Sequence, residues 1–228
     1  MTHSDGDYAR DELLEIAKQD PGKLYDEAYY NEGYEEATSA PYGRHEPWLS
    51  FFSNIADEIV GKFQPTTFAD IGCAYGLLVE ALVDRGVDAF GYDCSPYAIS
   101  KGRSDVRNRL AVHNILDEIP LNTGKKYDLV TCIEVLEHIP ADQVDQAIKN
   151  LCDSSNRILF SSSPDDFEES THFSVLPTKT WLKKFEKHGF YSTSKSYRAN
   201  YVAPQARVVE KRPKPMTFTS SWIASRLG

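Results

Sequence analysis

The sequence predicts an α/β protein built on a parallel sheet with helices on both faces. Three observations carry that expectation. Strand-like and helix-like patterns alternate five times after Pro65. A glycine-bearing turn, "DIGCAYG", joins the first of these strands to the first helix. With 228 residues, 41% hydrophobic and 26% charged, the chain is long enough for one sizeable α/β domain with an added cap.

The elements follow in order. Residues 1–20 are polar and acidic, with a short amphipathic helix expected around Arg10 to Lys18. Residues 24–48 carry five tyrosines and are interrupted by Pro41, Gly43 and Pro47, so they read as neither clean helix nor clean strand. "SFFSNIADEIVGKF" sets Phe51, Ile55, Ile59 and Val60 on one helical face, with Gly61 near its end. A buried strand ends in "FADI", and Gly86 closes the following helix, "LLVEALVDRG", as a C′ residue. "DAFGYD" is the second strand; Ser95 and Pro96 supply an N-cap and an N1 proline for the helix that begins "YAIS". "LAVHNI" and "YDLVTCIEV" are the third and fourth strands, and "ADQVDQAIKNLC" is a helix with Val144, Ala147, Ile148 and Leu151 at helical spacing. "NRILFSSSP" is the fifth strand, and "PTKTWLKKFEKHGF" a helix stopping at Gly189. Two β-like stretches, around 190–197 and 201–209, complete the pattern. The expected organisation is a cap over 1–62, a ligand-binding domain over 63–212 and an arm over 213–228.

Composition narrows the partners. A net charge of -9 argues against a dedicated nucleic-acid binder, which needs a basic face to neutralise phosphates. No apolar run is long enough to span a bilayer, and the acidic N-terminus does not resemble a signal or transit peptide. Cys73, Cys94, Cys132 and Cys152 are scattered without metal-ligand spacing, as expected of reduced thiols in a cytoplasmic protein. Oligomeric state is left open.

Open parallel sheets bind ligands outside the carboxyl ends of their strands, so those ends are read first. The first delivers Asp70, Gly72, Ala74 and Gly76, where glycine allows close backbone approach. The second ends at Asp93, placed to accept both hydroxyls of a ribose, and the third at Asn114 and Ile115, an amide and an apolar side chain suited to an adenine. Cys73, Cys94 and Glu134 stand at the same strand tips and join the expected lining. A pyrophosphate cofactor is disfavoured: the third glycine of GxGxxG is replaced by Leu77, no P-loop is present, and Asp70 sets negative charge beside the turn. A phosphate-free, cationic nucleoside fits better, and S-adenosylmethionine is such a molecule.

"ADIGCAYGLLVEALVDRG", "GYDCSPYAI" and "YDLVTCIEVLEHIP" together resemble the class I S-adenosylmethionine-dependent methyltransferases, especially the subgroup with an E-x-L-E-H-I/L motif. The resemblance covers residues 66–212 and implies a Rossmann-like, seven-stranded sheet whose last strand is antiparallel. Ala74 stands where the family often has its middle glycine, and Asn114 where many members have aspartate. "PYGRHEPWLSFF" is similar to the caps of bacterial small-molecule and sugar methyltransferases, which implies Tyr42 and Arg44 as contacts to the methionine end.

Methyl transfer needs alignment, exclusion of water and, for a hydroxyl acceptor, a base. His138, one turn after Glu134, and His172, in the long loop after the fifth strand, are the candidates; helix bracing and loop scaffolding are their rival roles. Asp165 and Asp166 offer oxygen ligands for a divalent cation with Glu134 or His172, but adjacent aspartates more often make an Asx turn, so no metal is expected. The expected acceptor is an oxygen or nitrogen of a small metabolite, glycan or natural product, not DNA; Tyr29, Tyr30, Tyr42 and Trp48 offer stacking surfaces. A protein or RNA methyltransferase, a non-catalytic cofactor-binding module and a nicotinamide-dependent reductase are the competing readings.

Overall fold

The computed structural model describes residues 5–32, 41–192 and 199–212. Its centre is a seven-stranded sheet in the order β3-β2-β1-β4-β5-β7-β6. The strands are β1 Thr67–Ile71, β2 Asp88–Asp93, β3 Leu110–Val112, β4 Leu129–Ile133, β5 Arg157–Ser161, β6 Phe190–Tyr191 and β7 Arg207–Lys211. Strands β1 to β5 pair in parallel, whereas β7 runs antiparallel to both β5 and β6. The order reverses between β1 and β4, which places the ligand crevice at their carboxyl ends.

Period-two alternation sends successive strand residues to opposite faces. Ala69, Val130, Ile158 and Phe160 meet the helices α6 (Val144–Ser154) and α7 (Thr178–Lys187), with Trp181 and Phe185 at the centre of that layer. Phe68, Leu129, Leu159 and Val208 meet α3 (Trp48–Phe63) and α4 (Leu77–Val83) on the other face. Helix α3 lies largely within the expected cap, yet its Ile55, Ala56 and Ile59 belong to the same core as β1. The remaining helices are α1 (Asp5–Gln19), α2 (Glu27–Glu32) and α5 (Pro96–Ser100).

Several ends differ from expectation. Helix α1 is longer than its amphipathic centre, β3 stops before Asn114, and residues 201–206 form a turned segment rather than a strand. Residues 193–198, part of the first β-like stretch, and the arm over 213–228 lie outside the described residues. Helix α3 passes through Gly61 and ends on Gln64, which takes the left-handed conformation expected of a cap residue. The Ser95 cap forms as read: Ala98 N–H donates to Ser95 Oγ at 2.9 Å. No helix among the described residues is long and apolar enough to cross a membrane.

Trp181 is fully buried against this sheet. Trp181→Ala is expected to destabilise the chain by about 3–5 kcal/mol through lost contacts and a residual cavity. Urea unfolding reads this as a lower midpoint at unchanged slope; an unshifted midpoint contradicts the packing described.

Candidate active site

A cleft opens at the carboxyl ends of β1, β2 and β4, open to solvent on one side. The strand tips supply one half of its wall and residues 17–52 the other.

The glycine turn is shaped by contact. Gly72 has φ +78, and a Cβ there would collide with Val135 Cγ2, so only glycine fits. Ala74 takes φ +47 without that freedom, a left-handed conformation that costs energy in a residue with a Cβ. Asp93 holds it there: Ala74 N–H donates to Asp93 Oδ2 at 2.8 Å, while Ser95 N–H donates to Oδ1 at 2.8 Å. One carboxylate thereby joins the turn to the start of α5, with lone pairs still directed at the cleft it lines.

Asp70 lines the cleft and is almost fully buried. Burial pushes its carboxyl up to about 7, partly opposed by the 2.6 Å hydrogen bond that Thr131 Oγ1 donates to Oδ1. Burial raises Asp93 as well, against the pull of its two amide donors. Two buried carboxyls at one strand edge make a site that prefers a cation. Glu134 is the first residue of the E-x-L-E-H run, lines the cleft at φ +50, and accepts from Gln205 Nε2 at 3.1 Å. Glu137, by contrast, is completely buried, and Ser163 N–H donates to its Oε1 at 2.9 Å. Burial and the neighbouring Glu134 carboxylate push the Glu137 carboxyl well above its ordinary range, and its bond from Ser163 braces the end of β4 against that of β5.

Of the residues read from the sequence, Tyr42, Asp70, Gly72, Cys73, Ala74 and Asp93 all reach the cleft. Cys94, Asn114, Ile115, Glu134 and His138 do too. Asn114 differs in detail, because its amide oxygen accepts from Leu116 N–H at 3.0 Å and an adenine would meet the remaining amide valences. Gly76 stands back from the cleft as the left-handed N-cap of α4. Arg44 is also outside it: its guanidinium donates to the buried Glu80 Oε2 at 3.0 Å on α4. His172 is buried behind His138, the ring centroids 4.6 Å apart, and is not on the cleft wall. Burial holds the His138 ring low, at about 4, so it is neutral at physiological pH. Asp166 serves its own loop: its carbonyl accepts from His172 Nδ1 at 2.9 Å and its Oδ1 from Glu169 N–H at 3.4 Å.

Tyr25 and Glu169 are functional candidates that sequence reasoning missed. Tyr25 lines the cleft and meets the Tyr29 and His138 rings edge-on at 4.9 and 5.5 Å. Its carbonyl accepts from Ser95 Oγ at 2.5 Å, which docks the cap onto α5. Gly22 lies so close to the Cys94 carbonyl oxygen that any Cβ would collide with it. Glu169 accepts from Tyr29 Oη at 3.3 Å and from Thr171 Oγ1 at 2.5 Å. The tyrosine-rich composition of 24–48 was the available signal for Tyr25; nothing in the sequence marked Glu169 apart from its neighbours.

Residues 42–195 match the family described as methyltransferase domain. The ubiquinone biosynthesis O-methyltransferase of Nitrosomonas europaea is 34% identical over 119 residues, which is 48% of this chain and 48% of that protein. Its counterpart in Acinetobacter baumannii strain AYE is 27% identical over 171 residues, 72% of this chain and 71% of that protein. Among solved structures, an amino pentose methyltransferase from Micromonospora echinaspora superposes with a TM-score of 0.60 at 14% identity, covering 80% of this chain and 98% of that one. Magnesium protoporphyrin IX methyltransferase from Synechocystis gives 0.58 at 15% identity, covering 82% and 97%. These two likenesses speak for the fold, and the match over 42–195 speaks for the family. With that match spanning more than half of its length, the chain belongs to the methyltransferase-domain family, as a class I S-adenosylmethionine-dependent enzyme.

Proposed function

We propose that the chain transfers the methyl group of S-adenosylmethionine to an oxygen of a flat or sugar-like small molecule. The observation that carries this reading is the division of one cleft into two chemically distinct walls: buried carboxyls at the strand tips, and aromatic rings with a polar histidine pole opposite them. In this reading Asp93 accepts the ribose hydroxyls and Asp70 faces the ammonium group. Asn114 and Ile115 hold the adenine, while Tyr42 and Glu134 line the methionine end. The relatives support the acceptor class, one being a ubiquinone biosynthesis O-methyltransferase and a structural neighbour an amino pentose methyltransferase.

The acceptor oxygen attacks the methyl carbon opposite sulfur. The O–C bond forms as the S–C bond breaks, and the released pair stays on sulfur, leaving neutral S-adenosylhomocysteine. The acceptor's proton leaves to water at the polar edge of the cleft beside His138. Tyr25, Tyr29 and Trp48 supply ring faces and edges for a planar or pyranose body, and the cap excludes water from the sulfonium. Because the sulfonium is already a strong electrophile, alignment supplies most of the acceleration.

Asp93→Ala is expected to weaken S-adenosylmethionine binding at least tenfold, about 1.4 kcal/mol, and Asp93→Asn by less, since it retains one acceptor oxygen. Calorimetric affinity equal to the wild type in both variants overturns the assignment.

Asp70 generates a second expectation. A carboxyl raised to about 7 in the fold contributes stability that is fully present below its unfolded pKa and is lost as pH rises through 7. A bound ammonium favours the carboxylate and lowers that pKa, so binding of S-adenosylmethionine near pH 6 releases up to one proton. The release fades above pH 8, where Asp70 is already ionised. Calorimetry in two buffers of different ionisation enthalpy measures it, and Asp70→Asn abolishes it. Proton uptake at pH 6 contradicts the arrangement.

A further inference from the structure

Behind the histidine face of the cleft lies a cluster whose hydrogen bonding does not close. One ligand atom from each of His138, Glu169 and His172 lies within 4.8 Å of the other two. His172 Nδ1 faces the Asp166 carbonyl oxygen at 2.9 Å and Asp166 Oδ2 at 3.6 Å, so that nitrogen carries a proton. In a neutral ring Nε2 is then a bare lone pair, yet it faces Glu169 Oε2 at 3.3 Å. Two acceptors pointing at each other call for a positive charge between or beside them.

His138 is set up in the same way. Its Nδ1 lies 3.2 Å from the Thr171 carbonyl oxygen and 3.1 Å from Thr171 Oγ1. The Thr171 hydroxyl proton is already donated to Glu169 Oε1 at 2.5 Å, so His138 Nδ1 is the donor and Nε2 is the lone-pair nitrogen. Both rings thus have Nδ1–H anchored on backbone carbonyls, the arrangement that fixes ligating histidines. Thr171 and Tyr29 orient Glu169 in turn. The backbone carrying His172 is pinned from above, where Arg10 Nη2 donates to its carbonyl at 2.7 Å.

We propose that His138, Glu169 and His172 form a binding site for a borderline divalent cation of the zinc type at the edge of the cleft. Two imidazoles and one carboxylate favour such an ion over magnesium, which prefers oxygen ligands. With metal–ligand bonds of about 2.0–2.2 Å, neighbouring ligand atoms stand roughly 3–3.5 Å apart. His172 Nε2 and Glu169 Oε2 already have that separation, and His138 offers a ligand atom within 4.8 Å of both residues' ligand atoms. Three protein ligands leave at least one position for water or for an acceptor oxygen, since His138 itself lines the cleft. There the ion would lower the pKa of a bound acceptor hydroxyl, whose proton leaves to water before the oxygen attacks the methyl group. That catalytic role rests on the methyltransferase reading above; the binding of the ion does not.

The test uses the full chain with Co²⁺ as a visible probe and Zn²⁺ in competition. One equivalent of Co²⁺ is expected to bind saturably, with a d–d absorption band that Zn²⁺ removes. Glu169→Gln and His172→Asn are expected to weaken binding at least tenfold while the affinity for S-adenosylhomocysteine stays within twofold. Absence of saturable Co²⁺ binding by the folded wild type up to millimolar concentration overturns the proposal, leaving a proton shared by His172 and Glu169 as the missing charge. Unchanged Co²⁺ affinity in both variants, each folded by circular dichroism, overturns it as well. Binding of Co²⁺ without binding of S-adenosylhomocysteine sustains the metal site and removes the cofactor reading.

Discussion

The Asp93 carboxylate is the constraint from which the site is built. Its two oxygens accept amide protons from Ala74 and Ser95, fixing the turn after β1 against the start of α5. Ser95 extends the connection upward, because its hydroxyl donates to the Tyr25 carbonyl while accepting from Ala98. Floor and roof of the cleft are therefore joined through two consecutive side-chain relays. A buried anion satisfied by backbone amides is stable enough to serve as a fixed point.

The electrostatics around that point are one-sided. Asp70, Asp93, Glu134 and Glu137 crowd the tips of β1, β2 and β4, and the fold accommodates them by different means. Burial and Glu134 raise the Glu137 carboxyl, Asp93 is paired with amides, and burial brings Asp70 up to about 7. Arg44, from the cap, pairs with Glu80 on α4.

Much of this was legible in the sequence where local chemistry decides it. Asp70, Gly72 and Asp93 could be placed because a strand followed by a tight turn restricts which residues tolerate the backbone and which face the crevice. Ser95 and Pro96 announced their helix for equally local reasons. Legibility failed where partners are distant in sequence. The bond from Tyr29 to Glu169 spans 140 residues, and the one from Arg10 to the His172 carbonyl spans 162. No periodicity encodes such pairings, so the loop after β5 could be recognised as long and chemically rich while the inward turn of its Glu169 could not. The partner of Arg44 was hidden for the same reason, Glu80 being a buried acid in a helix that otherwise reads as apolar.

The Gly22 contact has a consequence of its own. Since the segment before Tyr25 rests directly on the Cys94 carbonyl, a side chain at position 22 would prop that segment off the strand tips. The height of the tyrosine-bearing roof above the sheet is thus set by a missing side chain, at a position that touches none of the rings it supports.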